Sequence, residues 1–222
     1  MTDKLVVSLT DPSYQPVTDL TWPRVVDYAR KIGADTHLIT ERRWPQWSVH
    51  YEKYQLADWL GKYKRILFVD GDVLIRKNAL NIFQAVPAGY FGAMDEAAHL
   101  HKSIWTLEKI KAQFQPYGWR GPWNGLHFNS GVMVMDDTHK NIFEKLMFKT
   151  EAYFDQPFFN VRVSKLKIPF VRLDPRWNFL RWLKYEQPNS YHQNCYFLHF
   201  TGLALSPEEK AKHILQELQT DR

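Results

Sequence analysis

The sequence predicts an α/β protein built on one mostly parallel central sheet. Three features of the chain lead to this prediction: short apolar runs typical of buried strands, helical segments between them, and an acidic turn directly after the third run. Alternating strands and helices form parallel sheets, because each helix returns the chain to the same end of the sheet. The 222 residues, 45% of them hydrophobic, suit one large domain with a substantial core.

The first elements alternate as such a sheet requires. Leu5–Leu9 is a short apolar run and is predicted to be the first buried strand. A helix is expected from about Trp22, with Pro23 in its first turn and Gly33 at its C-terminal end. His37–Thr40 is predicted to be the second strand.

A second helix is expected from about Tyr51 to Leu60, ending at Gly61. The third strand, Ile66–Val69, runs directly into the acidic turn Asp70-Gly71-Asp72. Ligands of parallel sheets bind at the carboxyl ends of strands, so this turn lies where a site is expected.

The second half continues with fewer regular elements. Val132–Met135 is predicted as a strand, Thr138 to Tyr153 as a helix, and a further helix after Pro157 leads to a strand near Ile168–Leu173. The capping box Ser206-Pro207-Glu208-Glu209 predicts a terminal helix.

Composition limits the classes of function. The net charge of +5 is mildly basic, and the basic segment Arg162–Lys184 suits either a phosphorylated ligand or a solvated face. No nucleic-acid module signature is present, so no nucleic-acid partner is expected. No run approaches the ~20 apolar residues of a membrane span, and the start of the chain lacks the pattern of a secretory signal. With one cysteine, Cys195, no internal disulfide is expected, and the cytoplasm is the expected location.

The turn Asp70-Gly71-Asp72 is the sharpest local signal for chemistry. Two carboxylates two positions apart in an extended turn point to the same side of the chain. Both can then reach one divalent cation, and oxygen ligands of this kind suit Mg²⁺ or Mn²⁺. Gly71 has no side chain, so a ligand can approach the backbone. An acidic turn after a strand, without any metal, is the alternative.

Polar groups later in the chain allow both functional and structural interpretations. Asn129 and Ser130 precede a buried strand, where they form either a turn or hydrogen bonds to sugar hydroxyls. Asp155 and Gln156 stand at a helix start, where Asp155 either caps the helix or acts on a sugar. His199 follows an apolar run, and a lone histidine there is commonly structural.

Taken together, the motifs resemble the family 8 glycosyltransferases, the group that includes glycogenin and bacterial lipopolysaccharide galactosyltransferases. The matching positions follow in order along nearly the whole chain, from the first strand to about residue 202. They are Ser8-Leu9-Thr10-Asp11 with Tyr14, Lys53, Asp70-Gly71-Asp72, Phe128-Asn129-Ser130-Gly131, Asp155-Gln156 and His199-Phe200-Thr201-Gly202.

The resemblance implies roles for these positions. Asp70, Asp72 and His199 would hold a divalent metal, usually Mn²⁺ and otherwise Mg²⁺. The nucleotide would be bound by a further set, namely Thr10, Asp11, Tyr14 and Lys53, with Asp70 and Gly71 beside it. The donor sugar would lie beside the residues expected to act in catalysis, namely Asn129, Asp155 and Gln156.

The resemblance also implies a nucleotide-binding GT-A fold, a UDP-sugar donor and transfer with retention at the anomeric carbon. UDP-glucose or UDP-galactose is the expected donor, and a glycan, a lipid-linked sugar, a protein or a small molecule would be the acceptor. We expect a single domain over residues 1–222. It would comprise a nucleotide-binding half (1–95), a sugar and acceptor half (96–202) and a C-terminal helix that could act as a lid (203–222).

One position departs from the family pattern. The late motif of the family commonly continues into Lys-Pro-Trp, whose lysine contacts the diphosphate, whereas here Leu203-Ala204-Leu205 follows. The candidates for a replacement are Lys210 in the terminal helix and the arginines of the basic segment, namely Arg172, Arg176 and Arg181. Arginine would suit the task through two parallel hydrogen bonds to phosphate oxygens.

Two other classes of function stay open at this point. A nucleotidyltransferase or a sugar-nucleotide hydrolase also uses an acidic metal site, although the turn Thr10-Asp11-Pro12-Ser13 lacks the glycines and basic residues of nucleotidyltransferase loops. A catalytically silent protein that binds nucleotide or carbohydrate is the third class. Product analysis with a UDP-sugar would separate the three.

Overall fold

The computed structural model of the protein describes residues 2–101, 106–120, 125–144, 155–183, 185, 190–201 and 204–221. Within them, the strands are β1 (Lys4–Leu9), β2 (Asp35–Ile39), β3 (Arg65–Val69), β4 (Val73–Ile75), β5 (Phe91–Asp95), β6 (Phe128–Asp136), β7 (Phe170–Arg172), β8 (Phe179–Leu180) and β9 (Phe197–His199). The α-helices are α1 (Gln15–Ile32), α2 (Ile82–Ala85), α3 (Glu96–His99), α4 (Leu107–Phe114), α5 (Gln156–Lys165), α6 (Ser190–Asn194) and α7 (Pro207–Thr220).

Six strands form the central sheet, in the order β2-β1-β3-β6-β5-β7. β1 runs parallel to β2 and β3, and β5 runs parallel to β7. β6 is antiparallel to both of its neighbours, and all nine of its residues are buried. The predicted α/β class with a mostly parallel central sheet is confirmed.

The antiparallel direction of β6 brings two distant motifs together. Val69 at the end of β3 is paired with Val132 in the middle of β6, and the Asp70 N–H donates to the Gly131 carbonyl at 2.8 Å. The first residues of β6 therefore extend past the end of β3, alongside the acidic turn. Asn129 and Ser130 lie beside the acidic turn as a direct result.

Three short strands form a second sheet in the order β4-β9-β8. β4 follows the acidic turn immediately, and its first residue, Val73, is paired with His199. Because Asp72 directly precedes Val73, this register holds His199 next to the second carboxylate of the turn.

Helix α1 begins at Gln15, so the prediction of a start near Trp22 is wrong. Pro16 occupies the first turn, and Pro23 lies inside the helix, where it removes one backbone donor without ending the helix. The end at Gly33 is confirmed, since this residue is left-handed with φ of 68°. The Thr21 hydroxyl donates to the Gly71 carbonyl at 2.7 Å, which ties α1 to the acidic turn.

The predicted helix over Tyr51–Leu60 is a 3₁₀ helix over Val49–Asp58 instead. Its residues from Tyr51 to Leu56 are all buried, so the segment lacks the single apolar face of a surface α-helix. The helix predicted over Thr138–Tyr153 is also wrong at its start, where Asp137–Ile142 is a 3₁₀ helix; residues 145–154 lie outside the described part of the chain.

The remaining elements lie close to their predicted positions. The helix expected after Pro157 begins at Gln156, and the strand near Ile168–Leu173 is β7. The capping box of α7 is present, with the Ser206 and Glu209 side chains bonded to each other's backbone N–H. None of the helices in the described residues is both long and apolar enough to cross a membrane.

The hydrophobic core has a separate part beneath α7. Ile214 of that helix packs with Val17 of α1, Leu198 of β9, Phe200 and Cys195, all of them buried. Burial of a side chain such as Ile214 stabilises the packed helix by about 1.5–3 kcal/mol. The C-terminal helix is thereby held against α1 and the small sheet, next to the carboxyl end of β9.

Candidate metal centre and active site

Three side chains with metal-binding atoms converge at the carboxyl end of β3. The Nε2 of His199 lies 3.1 Å from Asp72 Oδ1 and 3.8 Å from Asp70 Oδ2. One atom from each residue can be chosen so that all three lie within 4.8 Å of one another. The acidic turn and the late histidine, predicted as one site, are therefore adjacent in space.

Each carboxylate of the turn is also held by a lysine. The Lys210 ammonium donates to Asp72 Oδ2 at 2.7 Å and to the Tyr14 hydroxyl at 2.6 Å. The Lys53 ammonium lies 3.1 Å from Asp70 Oδ1. Because Lys210 binds Oδ2, the other oxygen of Asp72 is the one that faces His199.

These charges set the protonation of the site. Burial alone would raise the pKa of the Asp72 carboxyl, but His199 and Lys210 outweigh it and hold that pKa below its ordinary value. Burial alone would lower the pKa of Lys53, but Asp155 and Asp70 outweigh it, so the pKa is raised. Burial and the charge of Asp72 raise the pKa of Tyr14, whose phenol stays protonated at neutral pH.

Two glycines make room for this arrangement. A Cβ at Gly131 would collide with the His199 ring and would lie 2.8 Å from Asp70 Oδ2. A Cβ at Gly71 would lie 2.6 Å from the Leu9 carbonyl oxygen at the end of β1. From the sequence, Gly71 was interpreted as a position where a ligand can approach the backbone. The structure shows a second reason for a glycine here, because the turn packs closely against the end of β1.

The donor set fits a hard divalent cation. Two carboxylate oxygens and one imidazole nitrogen supply three ligands, and Mn²⁺ and Mg²⁺ accept carboxylate oxygens readily. Gly131 lets the His199 ring and the Asp70 carboxylate approach its backbone closely, and all three ligands line an adjoining cleft.

The cleft beside these ligands contains most of the residues predicted for nucleotide binding. Its lining comprises the predicted residues Thr10, Asp11, Tyr14, Asp70, Gly71, Asp72 and His199, together with Leu9, Val49, His50, Thr201 and Lys210. Lys53 does not line the cleft; it is 1% exposed and contacts Asp70, Asp155 and Ser130 from beneath. Its contact with a nucleotide stays a prediction.

A second polar group adjoins the metal ligands. Asp155 precedes α5 but makes no side-chain hydrogen bond to the helix backbone, so the capping interpretation is wrong. Its Oδ2 lies 3.1 Å from Lys53 Nζ instead. The Gln156 side chain shares Glu96 with Asn129, donating to Glu96 Oε2 at 3.1 Å while Asn129 donates to Oε1 at 2.8 Å.

Two buried residues of this group were not found from the sequence. Glu96 follows β5 directly, and an acidic residue at a strand end was a signal that could have identified it. Asn178 follows a 3₁₀ turn, and its amide donates to Asn129 Oδ1 at 2.9 Å while its oxygen faces His199 Nδ1 at 2.9 Å. No motif marks Asn178 in the sequence.

The described arginines of the basic segment do not reach the cleft. Arg172 donates to Asp95 at 2.7 Å, Arg176 donates to Asp174 at 2.9 Å, and Arg181 lies 3.5 Å from Glu217. Of the candidates for the missing lysine, Lys210 is the one among the described residues that lines the cleft.

Comparison with known proteins agrees with this geometry. Residues 24–205 match the family model for glycosyl transferase family 8, whereas no curated protein matches the chain significantly. Among solved structures, a glycosyltransferase involved in glycosylation of the major capsid of PBCV-1 has a TM-score of 0.63 at 14% identity, covering 96% of this chain and 98% of that one.

Two further structures share the fold. The galactosyltransferase LgtC, in complex with donor and acceptor sugar analogs, has a TM-score of 0.56 at 14% identity, covering 97% of this chain and 95% of that one. Mouse xyloside xylosyltransferase 1 has a TM-score of 0.51 at 12% identity, covering 92% and 99%. The predicted GT-A fold is thereby confirmed. Since the family model spans most of the sequence, the chain is a glycosyltransferase that belongs to glycosyl transferase family 8.

Proposed function

We propose that this glycosyltransferase moves a hexosyl group from a UDP-sugar to an acceptor and requires Mn²⁺ or Mg²⁺ for the transfer. The observation that carries the proposal is the convergence of Asp70, Asp72 and His199 at one end of a cleft that Thr10, Asp11 and other predicted nucleotide contacts line. UDP-glucose or UDP-galactose is the proposed donor, and the acceptor is a glycan, a lipid-linked sugar, a protein or a small molecule.

Asp70, Asp72 and His199 would hold the cation, and the cation would neutralise negative charge on the departing nucleoside diphosphate. Lys210 would add a second positive charge at the same place. Its ammonium already lines the cleft and lies 2.7 Å from Asp72, so a diphosphate beside the metal ligands would lie within its reach. We therefore assign to Lys210 the role of the lysine that the late family motif lacks here.

Asp155, Gln156 and Asn129 would act on the donor sugar. The sugar carbon gains positive character as the diphosphate leaves, and a carboxylate near it stabilises that charge. Asp155 is 1% exposed, and its Oδ2 lies 3.1 Å from Lys53 Nζ. Retention at the anomeric carbon is proposed from family membership, and the anomeric configuration of the product, read by NMR, tests it.

Product analysis tests the proposed function. Purified protein is incubated with UDP-glucose or UDP-galactose, with and without Mn²⁺, across a panel of acceptors. We expect a glycosylated product only with metal, and we expect Asp72→Asn to lose it, because the variant loses a charged ligand while keeping the side-chain size. Asp27→Asn, at an exposed ion pair with Arg30, is the matched control and should keep full activity.

Three outcomes contradict parts of the proposal. Free sugar without any glycosylated acceptor would indicate hydrolysis. Tight UDP binding without turnover on any acceptor would indicate a silent binding protein. Undiminished activity of Asp70→Asn and Asp72→Asn would exclude the metal site.

A further inference from the structure

A continuous chain of buried side chains links His199 to the polar group beside α5. The Nδ1 of His199 lies 2.9 Å from Asn178 Oδ1, and Asn178 Nδ2 donates to Asn129 Oδ1 at 2.9 Å. Asn129 Nδ2 then donates to Glu96 Oε1 at 2.8 Å. Asn178 is fully buried, so water does not replace these bonds.

The direction of hydrogen bonding along this chain follows from a group that acts in only one way. The backbone N–H of Gly131 can only donate, and it donates to Asn129 Oδ1 at 2.9 Å. The other end of the same amide, Asn129 Nδ2, donates to Glu96 Oε1 at 2.8 Å. The backbone N–H thereby determines the orientation of the Asn129 amide, without reference to Asn178 or His199.

The remaining orientations follow one from another. Since Asn129 presents its oxygen to Asn178, Asn178 must present its amide nitrogen, and its own oxygen faces His199. That oxygen can only accept, so His199 Nδ1 must carry a proton. The other ring nitrogen, Nε2, is then the one available to bind a metal, and it lies 3.1 Å from Asp72 Oδ1.

We propose that Asn178 is a positioning residue for the metal site, which holds His199 with Nδ1 protonated and Nε2 directed towards Asp70 and Asp72. This inference rests on the proposed function and assigns part of its metal site to a residue outside every motif of the sequence. A partner of this kind, bonded to the far nitrogen of a ligating histidine, commonly contributes 10–100-fold to metal affinity.

The experiment measures Mn²⁺ binding to the donor-free protein by electron paramagnetic resonance of the free ion. Asn178→Ala removes the acceptor for His199, and its affinity should fall by about 10–100-fold. Asn178→Asp keeps an acceptor for His199 but loses the donor to Asn129, so its affinity should stay near that of the wild type even though the protein is destabilised.

Asn160→Ala is the matched control. Asn160 is fully buried and bonds both backbone groups of Phe128, in the same strand as Asn129, but it does not contact His199. The control should lose stability and keep its Mn²⁺ affinity. Equal Mn²⁺ affinity of folded Asn178→Ala and wild type would overturn the proposal. Parallel losses in Asn178→Ala and Asn178→Asp would do the same, because they would indicate a purely structural role.

Nitrogen-15 NMR of the histidine rings gives a second measurement that needs no substitution at position 178. We expect His199 Nδ1 to carry a proton in the metal-free wild type; a bare Nδ1 would overturn the proposal whatever the variants do. If the wild type binds no Mn²⁺, the proposed metal site fails and this inference fails with it. If the wild type binds Mn²⁺ but Nδ1 is bare, the inference alone fails.

Discussion

Asp155 and Lys53 form a buried ion pair beneath the candidate active site. Lys53 Nζ lies 3.1 Å from Asp155 Oδ2 and 3.1 Å from Asp70 Oδ1, and both Lys53 and Asp155 are 1% exposed. A buried ion pair that loses one partner leaves an uncompensated charge, which typically costs about 3–5 kcal/mol. The stability of Asp155 variants therefore reports on Lys53 as well as on any role in catalysis.

A double-mutant cycle separates the two roles at the scale of single residues. Asp155→Asn should lower the free energy of unfolding by about 3 kcal/mol or less, since Lys53 keeps Asp70 as a partner. Adding Lys53→Met should restore part of that stability, because both buried charges are then absent. Turnover should not recover with stability, because the carboxylate near the sugar is still missing.

Urea unfolding and single-turnover rates measure the two quantities in the same four proteins. The informative comparison is the double variant against Lys53→Met alone. Equal turnover in these two would show that Asp155 acts only through Lys53, and the assignment of Asp155 to the sugar would be withdrawn.

Single residues also show which parts of the site were accessible from the sequence. Asp70 and Asp72 were predictable because they are only two positions apart, directly follow an apolar strand and have the same carboxylate side chain. Lys210 was named as one of four candidates, since only the fold brings the terminal helix to within 2.7 Å of Asp72. Asn178 was not predictable, because its partners Asn129 and His199 are distant in sequence and its neighbours form no motif.

At the scale of elements, helix α7 carries a charge into the site and is itself held in place by charges. Lys210, in its first turn, reaches Asp72 and Tyr14. Glu217, near its other end, accepts from Arg76 at 2.9 Å and lies 3.0 Å from His192 Nε2. The buried Ile214 lies between them. The helix is packed against the domain, so its removal would expose apolar core.

Substitution of Lys210 tests the helix more cleanly than truncation does. Lys210→Ala should weaken UDP binding in the presence of Mn²⁺ by about tenfold, the size of one charge-assisted hydrogen bond to a phosphate oxygen. Isothermal titration with UDP measures the change. Lys212→Ala, an exposed lysine on the same helix, should bind UDP like the wild type.

An equal loss of UDP affinity in Lys210→Ala and Lys212→Ala would show that the overall positive charge of the helix, and not a specific contact of Lys210, is responsible. Unchanged affinity of Lys210→Ala would contradict the role proposed for Lys210.

The pH dependence of stability reports on the far end of α7. The hydrogen bond with His192, together with the charge and hydrogen bond of Arg76, lowers the pKa of Glu217 to about 2 from an ordinary 4.5. A carboxyl whose pKa is lower in the folded state stabilises the fold above its unfolded pKa. This contribution is complete above about pH 4.5 and is lost as the pH falls towards 2.

We therefore expect Glu217→Gln to be less stable than the wild type at pH 7, with the difference shrinking as the pH falls from about 4.5 to about 2. Urea unfolding at a series of pH values measures it. Asp27→Asn, at an exposed pair with Arg30, should differ from the wild type by less than about 1 kcal/mol throughout. A gap for Glu217→Gln that stays constant with pH would exclude the charge as its cause.

The elements also show why strand positions were predicted better than strand directions. Short apolar runs marked β1, β3 and β6, because burial leaves a local pattern in the sequence. The antiparallel direction of β6 has no local pattern, since it depends on how the chain returns from residues 97–127. Similarly, the start of α1 was missed because Pro23 is a typical first-turn residue but here lies in the helix interior.

At the scale of the whole molecule, the active site has its own counter-charges. Asp70, Asp72 and Asp155 face Lys53 and Lys210 at 2.7–3.1 Å in their closest pairs. The three carboxylates are therefore not left to repel one another when no cation is bound. A site whose carboxylates are already paired with lysines differs from the sites of small zinc domains, whose fold depends on the metal.

We expect removal of divalent metal by EDTA to leave the melting temperature nearly unchanged. Mn²⁺ together with UDP at about 100 times its dissociation constant should then add about 2.7 kcal/mol to the free energy of unfolding. Differential scanning calorimetry of the same sample before and after chelation makes the comparison. Cooperative unfolding on chelation would show that the fold needs the metal.

The class and the family of the fold were predictable from the sequence, whereas the assignment of separate functions to parts of the chain was less predictable. The α/β alternation follows from strand and helix patterns spread along the chain, and the family from motifs in a fixed order. The division into residues 1–95, 96–202 and 203–222 stays a prediction. Contacts cross these boundaries, since Lys53 bonds Asp155 and Lys210 bonds Asp72.

Cys195, the single cysteine of the chain, lies in the apolar layer that α7 covers. Its thiol donates to the His192 carbonyl at 3.3 Å, and burial raises the pKa of the thiol. A disulfide reagent such as Ellman's reagent can react with Cys195 only while this layer is open. The rate of colour development therefore reports how often the C-terminal helix moves away and exposes this layer. If α7 closes on the donor, UDP and Mn²⁺ will slow the reaction.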